Sequence, residues 1–324
     1  MTMKPVIIGG GSWGCAIATA LGRADHNVHL LVRRQETVDA LATGHCVQLP
    51  NVSSMPPMPA SVSPACLQTA SMIFVVVPVA ANPATFATIA AHATAGTPVI
   101  LCAKGITSQD GQNAQLLTHA AQQALPDYPI AVFSGPSFAD EVLTGLPAAL
   151  VAASTSPNVL DMIQSAFRHS NIRVYTHNDP DGLALAGAMK NVVAIAAGCA
   201  VGLGLGDNAK AAIITRGLAE IARLNHAIGG DADTIFGLGG VGDLALSCAG
   251  PHSRNMAFGL ALGAGETVPD KLAEGSRTVA GLARLGRDKN VDLPITNAID
   301  MVLNHGQNLN DAVKALLARP PGAE

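Results

Sequence analysis

Two lysines, one aspartate and a serine–arginine–asparagine triplet are the side chains most able to do chemistry. Lys190-Asn191 interrupts the otherwise apolar stretch Leu183–Cys199. A cation among apolar neighbours is costly unless its ammonium snorkels to solvent or has work to do. Desolvation lowers a lysine pKa, which suits a group that exchanges a proton. Lys104-Gly105 follows the apolar run Val99–Cys102 and is either a solvated loop residue or aimed at a ligand crevice. Gly239-Gly240-Val241-Gly242-Asp243-Leu244 brings a backbone and one carboxylate close to a neighbour. Ser253-Arg254-Asn255 offers a hydroxyl, a guanidinium and an amide, a donor set for phosphate. Read alone, the triplet is a helix N-cap with a surface arginine. Ser134-Gly135-Pro136-Ser137-Phe138-Ala139 supplies hydroxyls and backbone N–H groups for an oxyanion, or is a plain turn.

A second kind of site opens the chain. Val6-Ile7-Ile8 reads as a strand, and Gly9-Gly10-Gly11-Ser12-Trp13-Gly14 follows it. An apolar helical pattern (Ala16, Ile17, Ala20, Leu21) comes next. In that setting Gly9 allows the tight turn, Gly11 lets phosphates approach the backbone, and Gly14 lets the helix pack on the strand. The free N–H groups at the helix start face the anion. With 33 glycines, a chance match is easy, and Gly237, Gly239 and Gly242 give a second one. It follows the polar run Asp231–Thr234 with no clear strand, so only the first is expected to hold a dinucleotide pyrophosphate. After the second strand, Val32-Arg33-Arg34-Gln35-Glu36 presents two arginines where an NAD site usually presents an acid. A guanidinium pairs bidentately with a 2′-phosphate. NADP(H) is therefore the preferred cofactor and NAD(H) a possible one, the other reading being an ordinary solvated arginine pair.

These residues need elements to position them. Strand patterns fall at Val6–Ile8, Val28–Val32, Ile73–Val77, Val99–Cys102, Ile130–Phe133, Ala149–Ala152 and Ile172–Tyr175. Helical segments such as Asn113–Ala124 and Asn158–Arg168 lie between them. Such alternation predicts an α/β fold: an N-terminal Rossmann-type parallel sheet with helices on both faces. The turn 177–182 ends the pattern. Helical stretches near 181–199, 209–228, 255–263, 276–289 and 295–317 predict a mainly α-helical C-terminal domain. The expected domains are 1–178, dinucleotide-binding, and 179–324, substrate-binding.

Composition bounds the partners. The 324 residues are 49% hydrophobic and 13% charged with a net charge of −4, and no basic cluster suits nucleic acid. No Asp, Glu, Lys or Arg lies between Asp39 and Lys104, a surface prone to association, and a homodimer is expected. The six cysteines lack CxxC spacing and read as buried, reduced thiols; no metal site is expected. The N-terminus does not read as a signal peptide. The least charged run of the second half, 191–206, reads as too short and glycine-rich to span a bilayer. A soluble cytoplasmic protein is expected.

Taken in order, the clusters resemble the bacterial-type NAD(P)-dependent glycerol-3-phosphate dehydrogenases. The resemblance runs over nearly the whole chain: GGGSWG at 9–14, AKG at 103–105, SGPSFA with Glu141 at 134–141, KN at 190–191 and ITRGLAE at 214–220. It continues with GDL at 242–244, SRN at 253–255, AEG at 273–275 and LPIT at 293–296. The resemblance implies interconversion of dihydroxyacetone phosphate and sn-glycerol 3-phosphate, for phospholipid synthesis. It gives the proton-transferring role to Lys190. Its substrate contacts fall on Lys104, Gly135, Ser137, Lys190, Asp243, Ser253, Arg254 and Asn255. Its cofactor contacts fall on Ser12, Trp13, Arg33, Lys104, Ala139, Arg254, Leu272 and Glu274, to which the glycine turn and Arg34 are added. Lys104 and Asn191 would polarise or orient the carbonyl. Asp243 would hold Lys190 while raising its pKa against desolvation, and the sequence leaves open which prevails. Three positions depart from the family: Ala103 where threonine is frequent, Ser247 where many relatives have threonine, and Gln48 where an aromatic is common. Two other readings remain: a related Rossmann reductase acting on another hydroxy acid or sugar phosphate, and a nonenzymatic NADP(H)-sensing module.

Overall fold

A computed structural model describes residues 2–50, 52, 55–109, 112–267 and 273–318. The chain divides into two compact units, Met1–Ala103 with Leu117–Ala184, and Lys104–Leu116 with Leu185–Glu324. The sequence reading put a single cut at residue 178. The units instead divide at 184/185, within the helix Pro180–Gly202, and residues 104–116 group with the second unit.

Ten strands occur among the described residues: β1 (Pro5–Ile8), β2 (His29–Leu31), β3 (Ala60–Ser61), β4 (Met72–Val75), β5 (Val99–Leu101), β6 (Ile106–Gln109), β7 (Gln112–Leu116), β8 (Ile130–Ser134), β9 (Ala148–Ala153) and β10 (Ile172–His177). Eight form one sheet in the first unit, in the order β10-β9-β8-β5-β4-β1-β2-β3. Side chains alternate across it, as strand geometry demands. Ile7, Phe74 and Ile100 enter the core on one face, while Val6, Ile8, Ile73, Val75, Val99 and Leu101 enter the core on the other. Burial on both faces explains why these strands are apolar throughout. Phe74, Phe133 and Phe167 pack together on the first face with ring centroids 5.2–6.0 Å apart.

All seven expected strands of this sheet form. The expected all-parallel arrangement holds for β3, β2, β1, β4, β5 and β8; β9 runs antiparallel to β8, and β10 runs parallel to β9. The connection from β8 to β9 carries only the six-residue helix Ala139–Thr144. That helix stays beside the helix Ser12–Arg23, where the Arg23 guanidinium donates to the Val142 and Leu143 carbonyls. The chain therefore returns without a crossover long enough to favour a parallel neighbour.

The second unit is helical, with β6 and β7 as an antiparallel pair. That pair corrects the expected helix Asn113–Ala124: its first residues are strand, and the helix starts at Leu117. Ile106 and Leu116 are buried in the helical core, so packing overrides local helix propensity. The expected helix 295–317 is two, Pro294–Asn304 and Leu309–Leu317. The break falls at Gly306, whose φ is +71°, and Asn308 caps the second helix by accepting from the Asn310 N–H.

The helix Pro180–Gly202 is the axis of the second unit's core. It is 23 residues long, and by length and composition alone it could cross a membrane. The sequence pattern places this helix at 181–199 with Lys190 inside it, and the structure bears that out; only the membrane argument, made on the run 191–206, took too short a segment. The most apolar window is 94% buried within the protein, which is how a core helix becomes apolar all round.

Glu220, 1% exposed, accepts from the Ile295 N–H (2.5 Å), the Thr296 N–H (3.1 Å) and the Thr296 hydroxyl (2.9 Å). It thereby caps the helix Pro294–Asn304, whose own N-cap, Leu293, has no side-chain acceptor. Leaving buried helix N–H groups unpaired costs about 1–3 kcal/mol for each group. Glu220→Ala is expected to lower unfolding free energy by about 3 kcal/mol, measured by urea denaturation, and Glu220→Gln by less. An unchanged midpoint for Glu220→Ala would show that the cap carries no stability.

Candidate active site

In the first unit, β1 ends at the glycine turn and the helix Ser12–Arg23 begins directly after Gly11. Gly9 has φ +123°, and a Cβ there would collide with the Val76 carbonyl oxygen. A Cβ on Gly14 would collide with the Gly9 carbonyl oxygen, so the helix could not seat. A Cβ on Gly11 would meet nothing within 4 Å. Two glycines are thus required by the turn itself, while the third keeps the backbone bare where nothing of the protein needs it bare. Gly11 caps the helix without a side-chain hydrogen bond, leaving the helix start to offer its N–H groups. These features fit a dinucleotide pyrophosphate, with Ser12 and Trp13, both half-buried, in the first turn of the helix.

Arg33 and Arg34 are exposed just beyond β2, and Arg34 stands at the N-cap of the helix Gln35–Ala42. Gly135 follows β8 with φ +147°; Ser137, whose hydroxyl donates to the Gly135 carbonyl (3.3 Å), stands on the turn leading to the next helix, and Ala139 is that helix's first residue. Leu272 lies outside the described residues.

In the second unit the chemistry-bearing residues converge. The Lys190 ammonium donates to Asp243 Oδ1 and to the Ser247 hydroxyl, each at 2.6 Å, and the Lys104 ammonium donates to Asp243 Oδ2 at 2.6 Å. One carboxylate bridges two lysines. The side chains of Lys190 and Asp243 are 8% and 2% exposed, and that of Lys104 is 20% exposed. The snorkelling alternative for Lys190 is thereby replaced by a buried ion pair. A buried cation in such a place is tolerable because a carboxylate and a hydroxyl satisfy it. The trio carries one net positive charge, which suits an anionic ligand.

Burial prevails over Asp243 at Lys190. It pushes the ammonium pKa from 10.5 down to about 8; Asp243 pulls it up, and Lys104 adds to the lowering. For Asp243, burial works against ionisation, but Lys104 and then Lys190 hold the carboxyl below its ordinary value. The lysine is therefore near its titration range while its partner stays anionic, an arrangement suited to proton exchange.

Asn191, one residue on, donates to the Lys104 carbonyl at 3.5 Å and accepts from the Asn255 amide at 2.9 Å. Ser253 is the N-cap of the helix Arg254–Ala264 and accepts from the Met256 N–H at 3.4 Å. The N-cap reading of the triplet is thus correct as structure, and the same helix start, with the exposed Arg254 as its first residue, has the chemistry to receive an anion. Glu274 is half-buried; burial pushes its carboxyl pKa up, against Arg254 first and then Lys104, Lys190 and Arg277. The second glycine match, 237–242, forms a short π-helical turn that hands directly to the helix Asp243–Ser247.

Ser247 is the contact that sequence reasoning did not place in the site. The signal was present: it lies four residues after Asp243, so one helical turn puts both side chains on one face. Among the described residues no cluster of His, Cys, Asp and Glu could hold a metal ion.

A Rossmann-type unit with a glycine-turn nucleotide cradle, followed by a helical unit with a buried lysine–aspartate–lysine bridge, defines a class of nicotinamide-dependent oxidoreductases. The family model for the NAD-dependent glycerol-3-phosphate dehydrogenase N-terminus matches residues 4–160, and that for the C-terminus matches 179–314. The chain belongs to this family. It is 41% identical over 329 residues to glycerol-3-phosphate dehydrogenase [NAD(P)+] of Caulobacter vibrioides, covering 99% of this chain and 98% of that one. It is 39% identical over 320 residues to the enzyme of the same name from Mesorhizobium japonicum, covering 98% and 92%. The crystal structure of glycerol-3-phosphate dehydrogenase from Coxiella burnetii superposes with a TM-score of 0.90 at 34% identity, covering 98% of this chain and 99% of that one.

Proposed function

We propose that this protein interconverts dihydroxyacetone phosphate and sn-glycerol 3-phosphate, with NADP(H) preferred over NAD(H). The observation that carries the reading is the bridge of Lys190 and Lys104 through Asp243. A nicotinamide dinucleotide would be held through its pyrophosphate at the glycine turn, with Ser12, Trp13, Arg33, Arg34, Lys104, Ala139, Arg254 and Glu274 as the further contacts that family resemblance implies, and would supply the hydride. As the ketone carbon is reduced, negative charge develops on its oxygen. Lys190, as ammonium, stabilises that charge and gives up its proton; in the reverse direction the neutral amine takes it back. Lys104 and Asn191 orient the carbonyl. Arg254, Ser253 and Asn255 anchor the phosphate, with Gly135 and Ser137 as further substrate contacts. Binding energy remote from the reacting carbon thus fixes its geometry. The product supplies the backbone of phospholipids, in a soluble cytoplasmic homodimer.

The test is spectrophotometric. Oxidation of NADPH with dihydroxyacetone phosphate is expected; activity only with an unphosphorylated keto acid would overturn the substrate. The cofactor preference rests on Arg33 and Arg34, exposed beyond β2. Arg33→Asp is expected to weaken NADPH binding by about 10–100-fold, the range of a lost charge-assisted pair, and to spare NADH. Tighter binding of NADH than of NADPH by the unmodified chain, in a fluorescence titration, would remove the preference.

A further inference from the structure

Three amide groups in the second unit form a directed chain. The Gly275 N–H donates to Asn255 Oδ1 at 3.0 Å, Asn255 Nδ2 donates to Asn191 Oδ1 at 2.9 Å, and Asn191 Nδ2 donates to the Lys104 carbonyl at 3.5 Å. An asparagine side chain has one donor end and one acceptor end. A fixed donor at the start therefore sets the orientation of both asparagines, and Gly275 supplies that donor. It also lies against the residue beside Lys190. A Cβ on Gly275 would sit 2.7 Å from the Asn191 carbonyl oxygen, 2.9 Å from its carbonyl carbon and 2.8 Å from Ile195 Cδ1. Two of these atoms are backbone of the lysine-bearing helix and cannot swing aside.

We infer that Gly275 is a positioning residue for the reaction: its bare α-carbon seats the helix Glu274–Asp288 against Asn191, and its N–H aims the amides of Asn255 and Asn191 towards Lys104. The inference rests on the proposed roles of the lysine pair. Gly275 acts on the lysines through the two asparagines. Any side chain there must push the helix Pro180–Gly202 away at the turn that carries Lys190, and the chain of amides opens at its first link.

The experiment compares three variants of the full chain in dihydroxyacetone phosphate reduction against pH, with thermal unfolding and NADPH binding measured on each. Gly275→Ala is expected to lower kcat by about tenfold or more, the scale of a sub-ångström to ångström displacement of a catalytic group. The alkaline limb of its kcat profile is expected to move upward, because an opened wall rehydrates Lys190. NADPH affinity stays within about twofold. Gly286→Ala is the packing control on the same helix: its Cβ would meet Leu293 Cδ1 at 2.5 Å, remote from the amides. It is expected to lower Tm without moving the pH limb. Gly275→Ala combined with Ile195→Val removes the δ1-carbon contact but leaves the carbonyl contact, so it regains stability and keeps the kinetic defect. This pair carries the test if the single variant fails to fold. In the unmodified chain, slow exchange of the Asn191 and Asn255 side-chain amide protons accompanies the effect, and fast exchange of both overturns the inference. It also falls if Gly275→Ala keeps kcat and pH limb within about twofold and a few tenths of a unit, or if Gly286→Ala shows the same kinetic loss at the same Tm. If instead Lys190→Ala keeps its turnover, the lysine reading itself fails, whatever Gly275→Ala does.

Discussion

Lys190→Ala is expected to lower turnover in ketone reduction by about 10³–10⁴-fold while leaving NADPH affinity nearly unchanged. General acid catalysis contributes about 10²–10⁴-fold, and loss of a preorganised charge facing the developing oxyanion adds to it. The fold should survive, because the substitution removes a buried charge and Asp243 keeps its 2.6 Å pair with Lys104. Cofactor binding is expected to survive because Lys190 is not among the proposed cofactor contacts. The pH dependence of the unmodified protein provides a second reading of the same residue. With its pKa near 8, Lys190 is ammonium below that pH and amine above it. Reduction, which needs the ammonium, should fall as pH rises through about 8, and oxidation, which needs the amine, should rise over the same range. Steady-state assays in both directions measure this. Near-normal turnover in Lys190→Ala would falsify the proton-transfer assignment.

Much of this site was legible in the sequence because each piece depends on a local rule. The glycine turn declares itself by its place between strand and helix, and Gly14 proves to be required by the nearby Gly9 carbonyl, whereas the Val76 carbonyl that requires Gly9 is distant in sequence. Lys190 is conspicuous as one charge in an apolar helix. What could not be read is where such pieces meet. The amide chain from Gly275 to Lys104 joins residues 20, 64 and 87 positions apart, and no local pattern announces it. The strand pair 106–116 was missed for a related reason. Gln112–Leu116 continues into a true helix, and only the burial of Ile106 and Leu116 in the helical core separates the two. The reversal of β9 depends on a short helix staying beside Ser12–Arg23, again a contact distant in sequence. Even the balance at Lys190 needed the fold, since burial and Asp243 act in opposite directions and only the degree of enclosure decides between them.

Asp243→Asn separates those two effects. The amide keeps the shape of the carboxylate and removes the charge that both lysines share. Removing one partner of a buried ion pair costs about 3–5 kcal/mol when the other charge stays in place, but a lysine can escape part of that by releasing its proton. Lys190 already stands near pKa 8 with Asp243 beside it, so without the carboxylate its pKa should fall by at least about one unit more. Reduction by Asp243→Asn should therefore be impaired most at pH 8 and recover partly towards pH 6, where the lysine regains its proton. Stability should show the same displacement with a definite sign. A lysine whose folded pKa lies below its unfolded 10.5 makes the unfolded chain the better proton binder between those two values. Stability then declines as pH falls from about 10.5 to about 8 in the unmodified protein, and is level below that as far as this group is concerned. In Asp243→Asn the decline should continue to lower pH, visible as a widening gap in Tm between the two proteins as the solution is acidified from pH 9. A gap of constant size, with the kinetic limb still near that of the unmodified protein, would mean that Asp243 holds the lysines in place without sustaining their charge.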